Sequence, residues 1–252
     1  MFHLRSIRKS VRSAAFILTI GACTALVAHC TAWAKGRLDP IDNPQADAAD
    51  ICELEQRIIL EGLVDVCTLD PSIMVDIAFA KQENIIGQNV YGAFARAYLR
   101  PEAAWKLARA SEILQISHPN LRLMVIDALR PRSVQHAMWK IVADTPLQPY
   151  VANPYSGSMH NYGAAVDVTL FDTRTGEQLD MGTPFHYFGS LAQPILENRY
   201  LRKGKLSEHH INNRLILRNA MSEAGWRVLN IEWWHFDAFD RDHVRRNYSI
   251  VE

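Results

Sequence analysis

The fourteen-residue stretch GSMHNYGAAVDVTL, at positions 157–170, constrains the fold more than any other part of the sequence. It begins with small and polar residues and continues as an apolar, β-branched run, which predicts a loop that enters a β-strand. Alternation gives this strand two faces, one with Ala165, Asp167 and Thr169 and the other with Val166, Val168 and Leu170. A carboxylate inside such a strand is costly to bury unless a positive partner neutralises it. A metal ion bound by His160 and Asp167 would be such a partner.

The first 34 residues have the pattern of a secretory signal peptide. Four basic residues between Arg5 and Arg12 precede an uncharged apolar run at 14–28, and Ala32-Trp33-Ala34 supplies a small-x-small cleavage site. We therefore expect a periplasmic or secreted protein that has no stable membrane insertion after cleavage. Two alternatives are a retained membrane anchor and lipid attachment at Cys23, where Ile-Gly-Ala-Cys resembles a lipobox although the apolar run continues beyond it.

Charge and cysteine content agree with export. The chain has 27 basic and 27 acidic residues, and loss of the four basic residues of the leader leaves a net charge of −4. Nothing in this balance suggests a nucleic-acid partner. Only Cys52 and Cys67 remain after cleavage. An even number of cysteines in an oxidising compartment predicts a disulfide between them, and two buried thiols are the alternative.

Helices and antiparallel-looking strands alternate along the rest of the chain without a regular βαβ repeat. This pattern predicts an α+β fold, with one domain built on a central antiparallel sheet and flanking helices. We expect a flexible segment at 35–50 and a short strand or loop at 60–70, so that 35–69 is an N-terminal extension of a domain at 70–252. Helices are predicted at 101–116, 133–144 and 206–224, strands at 73–79, 121–128, 226–229 and 232–236, and a hairpin turn at 175–177.

Three distant side chains form a candidate metal site. Zinc hydrolases usually bind their ion through three His, Asp or Glu ligands and leave a fourth position to water. His160, Asp167 and His235 supply such a set, and two imidazoles favour zinc over magnesium or calcium. Glu232 lies three residues before His235, near enough to act on the water as a general base. Glu232 and His235 would not point to the same face of a regular strand, so a bend or bulge is required between them.

These motifs resemble the zinc D-alanyl-D-alanine dipeptidases, the VanX-like branch of the D,D-peptidase and hedgehog-like metallopeptidases of peptidase family M15. The resemblance rests on S-x-H-x-x-G-x-A-x-D at 158–167 and E-W-W-H at 232–235. It extends over about 70–240, with further similar segments at 76–87, 127–131 and 181–185.

The resemblance implies a fold, a cofactor and a set of residue roles. The fold would be hedgehog/D,D-peptidase-like, with one zinc ion per chain. His160, Asp167 and His235 would be the zinc ligands, and Glu232 the general base and acid. Arg130, which follows a predicted core strand, would stabilise the oxyanion of the transition state. Ser158 would help to hold the carboxylate of a small peptide substrate such as D-Ala-D-Ala or a peptidoglycan fragment.

One position departs from the family pattern. Relatives often have an aspartate directly after M-G-x-x-F, where it binds the free ammonium group of the dipeptide, and here that position is His186. Neutral imidazole is a weaker partner for ammonium than a carboxylate is, and its cation would repel it. We therefore count His186 as a substrate-binding candidate. Its presence weakens the expectation that the substrate must have a free amino end.

Three functions are consistent with the sequence. The first is a secreted zinc dipeptidase that acts on D-Ala-D-Ala or a related D,D-dipeptide in peptidoglycan turnover. The second is a D,D-carboxypeptidase or endopeptidase on wall peptides, which would need a more open amino side. The third is a non-catalytic zinc-binding module, and the presence of Glu232 and Arg130 argues against it.

Overall fold

A six-stranded sheet lies at the centre of the molecule. The computed structural model describes residues 48–252, and side chains are described from residue 53 onward. The predictions for the leader at 1–34 lie outside the described residues. The helices are α1 (Ala48–Leu60), α2 (Val66–Leu69), α3 (Pro101–Ser117), α4 (Arg132–Val142), α5 (Glu197–Arg202), α6 (Glu208–Glu223) and α7 (Arg241–Asn247). The strands are β1 (Val64–Asp65), β2 (Met74–Val75), β3 (Tyr98–Leu99), β4 (Leu121–Asp127), β5 (Ala165–Asp172), β6 (Glu177–Gln178), β7 (Arg227–Val228) and β8 (His235–Asp237).

The strand order of the sheet is β2-β4-β5-β8-β7, and β6 pairs with β5 beside this path. All pairs are antiparallel except β2 with β4, which is parallel. A separate antiparallel pair joins β1 and β3. The predicted α+β class with a central antiparallel sheet is confirmed.

Helices α3 and α6 cover one face of the sheet. The core between them is continuous, and its buried members include Leu107, Leu114, Leu123, Val125, Val166, Val168, Leu217 and Met221. The predicted alternation of β5 is therefore confirmed, because its valines lie in this core. Loops cover the opposite face, where Met124 and Ile126 pack with Ala78 in a smaller cluster. Both faces are largely covered and Asp167 is only 3% exposed, so the charge on β5 must find a partner inside the protein.

The predicted helices at 101–116, 133–144 and 206–224 are confirmed within a few residues. Pro101 begins α3, where its missing N–H would have no intrahelical acceptor in any case. Ser207 caps α6 and accepts a hydrogen bond from the backbone N–H of His210, and Gly225 follows the helix with φ +84°. The predicted hairpin at 175–177 is also confirmed, since β5 and β6 pair across it.

Most of the predicted flexible segment at 35–50 lies outside the described residues, and its last three positions belong to α1, which begins at Ala48. The segment 60–70 contains the predicted short strand as β1, and the short helix α2 that follows it was not predicted. The strand predicted at 73–79 ends at Val75, because the chain leaves the sheet edge after the N–H of Asp76 donates to Val125. It then forms a 3₁₀ turn at Ala78–Ala80, which places Phe79 over the functional site.

The predicted disulfide stays a prediction. The Sγ atom of Cys67 lies 3.6 Å from the carbonyl oxygen of Ile73, and the side chain of Cys52 is outside the described residues. Over residues 48–252, no helix has both the length and the apolar character that crossing a bilayer requires.

Candidate active site

Three polar residues lie in one row across the middle strands of the sheet. Asp127 on β4 is the cross-strand partner of Asp167 on β5, and Asp167 is in turn the partner of His235 on β8. Cross-strand partners point to the same face of a sheet. Two segments that are 68 residues apart in sequence therefore meet, and the His235–Asp167 contact is 2.9 Å from Nδ1 to Oδ1.

A β-bulge brings Asp127 into this row. Val125 pairs with Val168 and faces the helices, so strict alternation would turn Asp127 toward the helices as well. The register shifts between Val125 and Asp127, where the extra residue Ile126 has no cross-strand partner. A bulge of this kind re-aims the next side chain, and Asp127 consequently shares the face of Asp167.

His160 reaches the site from a 3₁₀ turn, Met159–Tyr162, that precedes β5. The Ser158 hydroxyl accepts from the N–H of His160, and the Asn161 side chain both accepts from the N–H of Ser158 and donates to the carbonyl of Arg130. Gly163 ends the turn with φ +67°, and a Cβ there would lie 2.7 Å from Leu63 and 3.3 Å from the backbone nitrogen of Arg100. The glycine of the motif therefore allows the return into β5.

The three predicted ligands form a compact triangle. His160 Nε2 lies 3.2 Å from His235 Nδ1 and 3.5 Å from Asp167 Oδ1, and the third edge is the 2.9 Å contact between His235 and Asp167. Tetrahedral ligands about 2.05 Å from a zinc ion lie about 3.3 Å apart. The observed edges bracket this value, so the donor set fits a metal ion, and all three side chains are buried.

The outer nitrogens of both imidazoles have acceptor partners. His160 Nδ1 lies 2.8 Å from the carbonyl oxygen of Ala128, and His235 Nε2 lies 2.9 Å from Asp237 Oδ1. Because carbonyl and carboxylate oxygens accept, these nitrogens carry the protons. His160 Nε2 and His235 Nδ1 therefore face the centre of the triangle, where each nitrogen would offer a lone pair to a metal ion in place of a proton, as in metal-bound histidines. Arg241 Nε donates to Asp237 at 3.3 Å.

The electrostatics of the triangle favour a cation. Burial by itself would raise the pKa of Asp167, but the neighbouring imidazoles, His160 first, hold the pKa of this carboxyl well below its usual range. Burial would likewise lower the pKa of His235, yet its hydrogen bonds to Asp167 and Asp237 raise that pKa to about 10. The two carboxylates thus stabilise positive charge at this point, and a bound metal ion supplies such charge without a proton.

Asp127 and Arg130 form a second, closed half of the site. Arg130 donates to Asp127 through Nε, at 3.1 Å, and through Nη2, and it donates through Nη1 to Gln135 at 3.0 Å. The Tyr91 hydroxyl donates to the other oxygen of Asp127 at 2.7 Å. Burial tends to lower the pKa of Arg130, but Asp127 keeps this pKa above its ordinary value. The guanidinium also lies over the ring of Phe79, 5.3 Å from its centroid.

Glu232 lies on the bend that the spacing of the E-W-W-H motif requires. The regular strand begins only at His235, and the chain before it turns after a hydrogen bond from the N–H of Glu232 to the carbonyl of Leu229. Burial raises the pKa of Glu232, while the nearby charge of His235 acts in the opposite direction. Trp233 and Trp234, the two residues between Glu232 and His235, are buried.

A cleft of about 190 Å³ opens beside the triangle, and its lining includes all seven predicted site residues, which are Arg130, Ser158, His160, Asp167, His186, Glu232 and His235. This volume is below the range typical of drug-sized ligands, so the cleft fits a small substrate. His186 is 5% exposed, and its Nε2 donates to Asp167 Oδ2 at 3.1 Å. The exposed rim includes Tyr150 and Arg245.

Comparison with known proteins identifies the family. A family profile described as D-Ala-D-Ala dipeptidase, peptidase family M15, matches residues 60–252. The chain belongs to this family. It is 32% identical to the D-alanyl-D-alanine dipeptidase of Escherichia coli K12 over 175 residues, which cover 69% of this chain and 83% of the relative. The dipeptidases of Synechocystis and Enterococcus faecium are 29% and 33% identical, over 57% and 40% of this chain and 70% and 45% of their own length.

Membership in this family makes the chain a hydrolase of the dipeptidase class. The predicted family and enzyme class are thereby confirmed. The roles assigned to individual residues stay predictions, although the structure brings all seven to one cleft.

Several polar partners of these residues were not predicted from the sequence. Asp237 lies two positions after His235 on the same strand, so alternation alone could have placed both on one face. Gln135 lies about one turn into α4 and accepts from Arg130. Tyr91 lies in an irregular segment, and no periodic signal marks it.

Proposed function

We propose that the chain is a zinc dipeptidase that hydrolyses D-Ala-D-Ala or a related D,D-dipeptide. The observation that carries this proposal is the triangle of two imidazole nitrogens and one carboxylate oxygen, beside Glu232 and Arg130 in a small cleft. Family membership supports the substrate, because the matched relatives are named as D-alanyl-D-alanine dipeptidases.

When bound, zinc supplies Lewis-acid chemistry, since it polarises a carbonyl and lowers the pKa of water to about 7. His160, Asp167 and His235 hold the ion. Glu232 accepts the proton of the attacking water and returns it to the leaving amino group, so that the peptide bond breaks to a carboxylate and an amine. Its half-buried position favours this exchange, because desolvation raises its pKa above the ordinary value of a glutamate.

Arg130 stabilises the oxyanion that forms when water attacks the scissile carbonyl. A guanidinium has five N–H donors, and three of them bind Asp127 and Gln135. The two that remain, one on each Nη, are available to the substrate. Because Asp127 fixes the orientation of the group before the reaction, little reorganisation is needed at the transition state.

Ser158 binds the carboxylate end of the dipeptide. Its oxygen accepts from the N–H of His160, which leaves the hydroxyl proton free to donate into the cleft. The 3₁₀ turn thus positions a zinc ligand and a substrate donor together.

Export to the periplasm or beyond is part of the proposal, with peptidoglycan fragments as the source of substrate. The leader at 1–34 supports it, and so does the pair Cys52 and Cys67, for which we propose a disulfide. Mass spectrometry of the secreted protein without reduction tests both. We expect a chain that begins near Lys35 and contains no alkylatable thiol. Detection of two free thiols would rule out the proposed disulfide.

The function itself is tested by incubating the zinc-loaded protein with D-Ala-D-Ala and measuring released D-Ala. We expect turnover, and Glu232→Ala should lower kcat by about 10³-fold or more while zinc stays bound. Glu223→Ala, on the exposed end of α6, is the matched control and should be fully active. Unchanged kcat in Glu232→Ala would remove Glu232 from the mechanism.

One observation favours a second candidate, a D,D-carboxypeptidase. Among the described residues that line the cleft, the carboxylates are Asp167 and Glu232, and both have roles at the metal. A peptide with a blocked amino end does not need a further carboxylate for its ammonium group. N-acetyl-D-Ala-D-Ala distinguishes the two functions. Cleavage of the acetylated peptide at a higher kcat/KM than that of D-Ala-D-Ala would favour the carboxypeptidase.

A further inference from the structure

We infer that His186 is a positioning residue for the metal ligand Asp167, whose carboxylate it holds so that only Oδ1 faces the ion. The inference rests on the metal site proposed above and deepens it. It concerns a position where the chain departs from the pattern of the family it resembles.

The two oxygens of Asp167 have separate partners. Oδ1 lies 2.9 Å from His235 Nδ1 and 3.5 Å from His160 Nε2, so it faces the centre of the triangle. Oδ2 lies on the other side, 3.1 Å from His186 Nε2. An ionised carboxylate only accepts hydrogen bonds. His186 therefore carries its proton on Nε2 and donates it to Oδ2.

Aromatic neighbours fix the ring of His186 in this orientation. It stacks on Phe79, with ring centroids 4.8 Å apart and planes inclined by 17°. Phe185 and Trp234 meet it edge to face, at 5.2 and 5.8 Å. The backbone of His186 has φ +58°, in the left-handed region that few residues other than glycine adopt. The surrounding aromatic side chains thus hold His186 in an uncommon backbone conformation, and in this conformation its ring contacts Asp167.

Occupation of Oδ2 has a consequence for the metal. A carboxylate with both oxygens free can bind an ion through both and so fill an additional coordination position. With Oδ2 bonded to His186, Asp167 can offer one oxygen, and the three protein ligands leave the fourth tetrahedral position open for water or substrate. Outer partners of this type commonly change metal affinity 10- to 100-fold when they are removed.

Two variants separate the hydrogen bond from the packing. His186→Phe keeps an aromatic ring on Phe79 and loses the donor. His186→Gln loses the ring and keeps an N–H at a similar distance from the backbone. Both place an L side chain at the same positive φ, so they share any backbone cost. Zinc affinity is measured by competition with a chelator, and Co²⁺ absorption reports the coordination number.

We expect His186→Phe to bind zinc about 10- to 100-fold more weakly than the wild type, with weaker Co²⁺ absorption as the coordination number rises. His186→Gln should stay within about threefold of the wild type. The opposite order, in which Phe behaves as wild type and Gln does not, would show that the ring acts by packing alone and would overturn the inference. Equal affinities in all three proteins would overturn it as well.

A crystal structure of the zinc-loaded wild type provides a test that needs no variant. We expect Asp167 bound through Oδ1 alone and His186 Nε2 within hydrogen-bond distance of Oδ2. Bidentate binding by Asp167, or His186 turned away, would overturn the inference and leave the dipeptidase proposal intact. A wild type that binds no zinc at the triangle would overturn both.

Discussion

Two buried aspartates lie side by side in the sheet, and they are neutralised in different ways. Asp127 is 0% exposed and has Arg130, three residues later, as a permanent cation, together with the hydroxyl of Tyr91. Asp167 is 3% exposed and is surrounded by His160, His186 and His235. An arginine is charged at any ordinary pH, whereas imidazoles are neutral or charged according to their surroundings.

The difference shows which aspartate has its counter-charge within the protein and which one lies where a metal ion would supply it. Like charges on cross-strand neighbours destabilise a sheet unless each has its own counter-charge. The chain supplies that charge to Asp127 in full. To Asp167 it supplies the imidazoles of His160 and His235, whose outer nitrogens are already hydrogen-bonded to Ala128 and Asp237. A buried carboxylate beside two imidazoles held in this way is the arrangement of a metal site, and the following changes test this comparison.

The largest effect is expected from Asp167→Asn. This change removes the charged ligand and keeps the shape of the side chain, so zinc affinity should fall by about 10³-fold, or about 4 kcal/mol, roughly a third of the binding free energy of a protein zinc site. Isothermal titration with zinc and a competing chelator measures it. The folded protein should also lose its zinc-dependent rise in Tm. Tight zinc binding by this variant would place the ion elsewhere.

Asp127→Asn should change stability instead of metal binding. It leaves the buried guanidinium of Arg130 without its counter-charge, which typically costs 3–5 kcal/mol, and we expect about 3 kcal/mol because Gln135 still accepts from Arg130. Urea unfolding in the presence of a chelator measures the loss. Glu112→Gln breaks the exposed pair with Arg109 and, as the control, should cost about 0.5 kcal/mol or less. Equal costs in the two variants would contradict the account.

A smaller effect is expected from Asp237→Asn, because this change acts on the ligand His235 from outside the triangle. The variant weakens the acceptor of His235 Nε2, so we expect zinc affinity to fall 10- to 100-fold, or about 1.4–2.7 kcal/mol. The metal-free protein should also lose some stability, because Asp237 contributes to the raised pKa of His235. Chelator competition gives the affinity, and an unchanged value would exclude Asp237 from the support of His235.

The smallest effect is expected from Ser158→Ala, which removes the cap of the 3₁₀ turn. Loss of such a cap costs about 1 kcal/mol, and the proposed contact with the substrate carboxylate should raise KM as well. Ser207→Ala is the matched control, since Ser207 caps α6 with the same capping-box hydrogen bonds. Both variants should lose similar stability, and only Ser158→Ala should change KM. A rise in KM for both would remove the specific role of Ser158.

The residues of this site could be predicted from the sequence, but the way in which the chain brings them together could not. The alternation of 165–170 and the long helices were predictable because each pattern is local and periodic. The bulge at Ile126 was not, because it changes the direction of Asp127 without changing the apolar pattern of β4. The early end of β2 was missed for a related reason, since Ile77 and Phe79 are buried by the loop that covers the site and not by a strand.

Anomalous diffraction at the zinc edge, from crystals of the zinc-loaded protein, tests the central claim most directly. We expect one strong peak per chain inside the triangle, about 2.0–2.2 Å from His160 Nε2, Asp167 Oδ1 and His235 Nδ1. A density map at saturating zinc without a peak between these three atoms, or with a peak bound by other residues, would contradict the account.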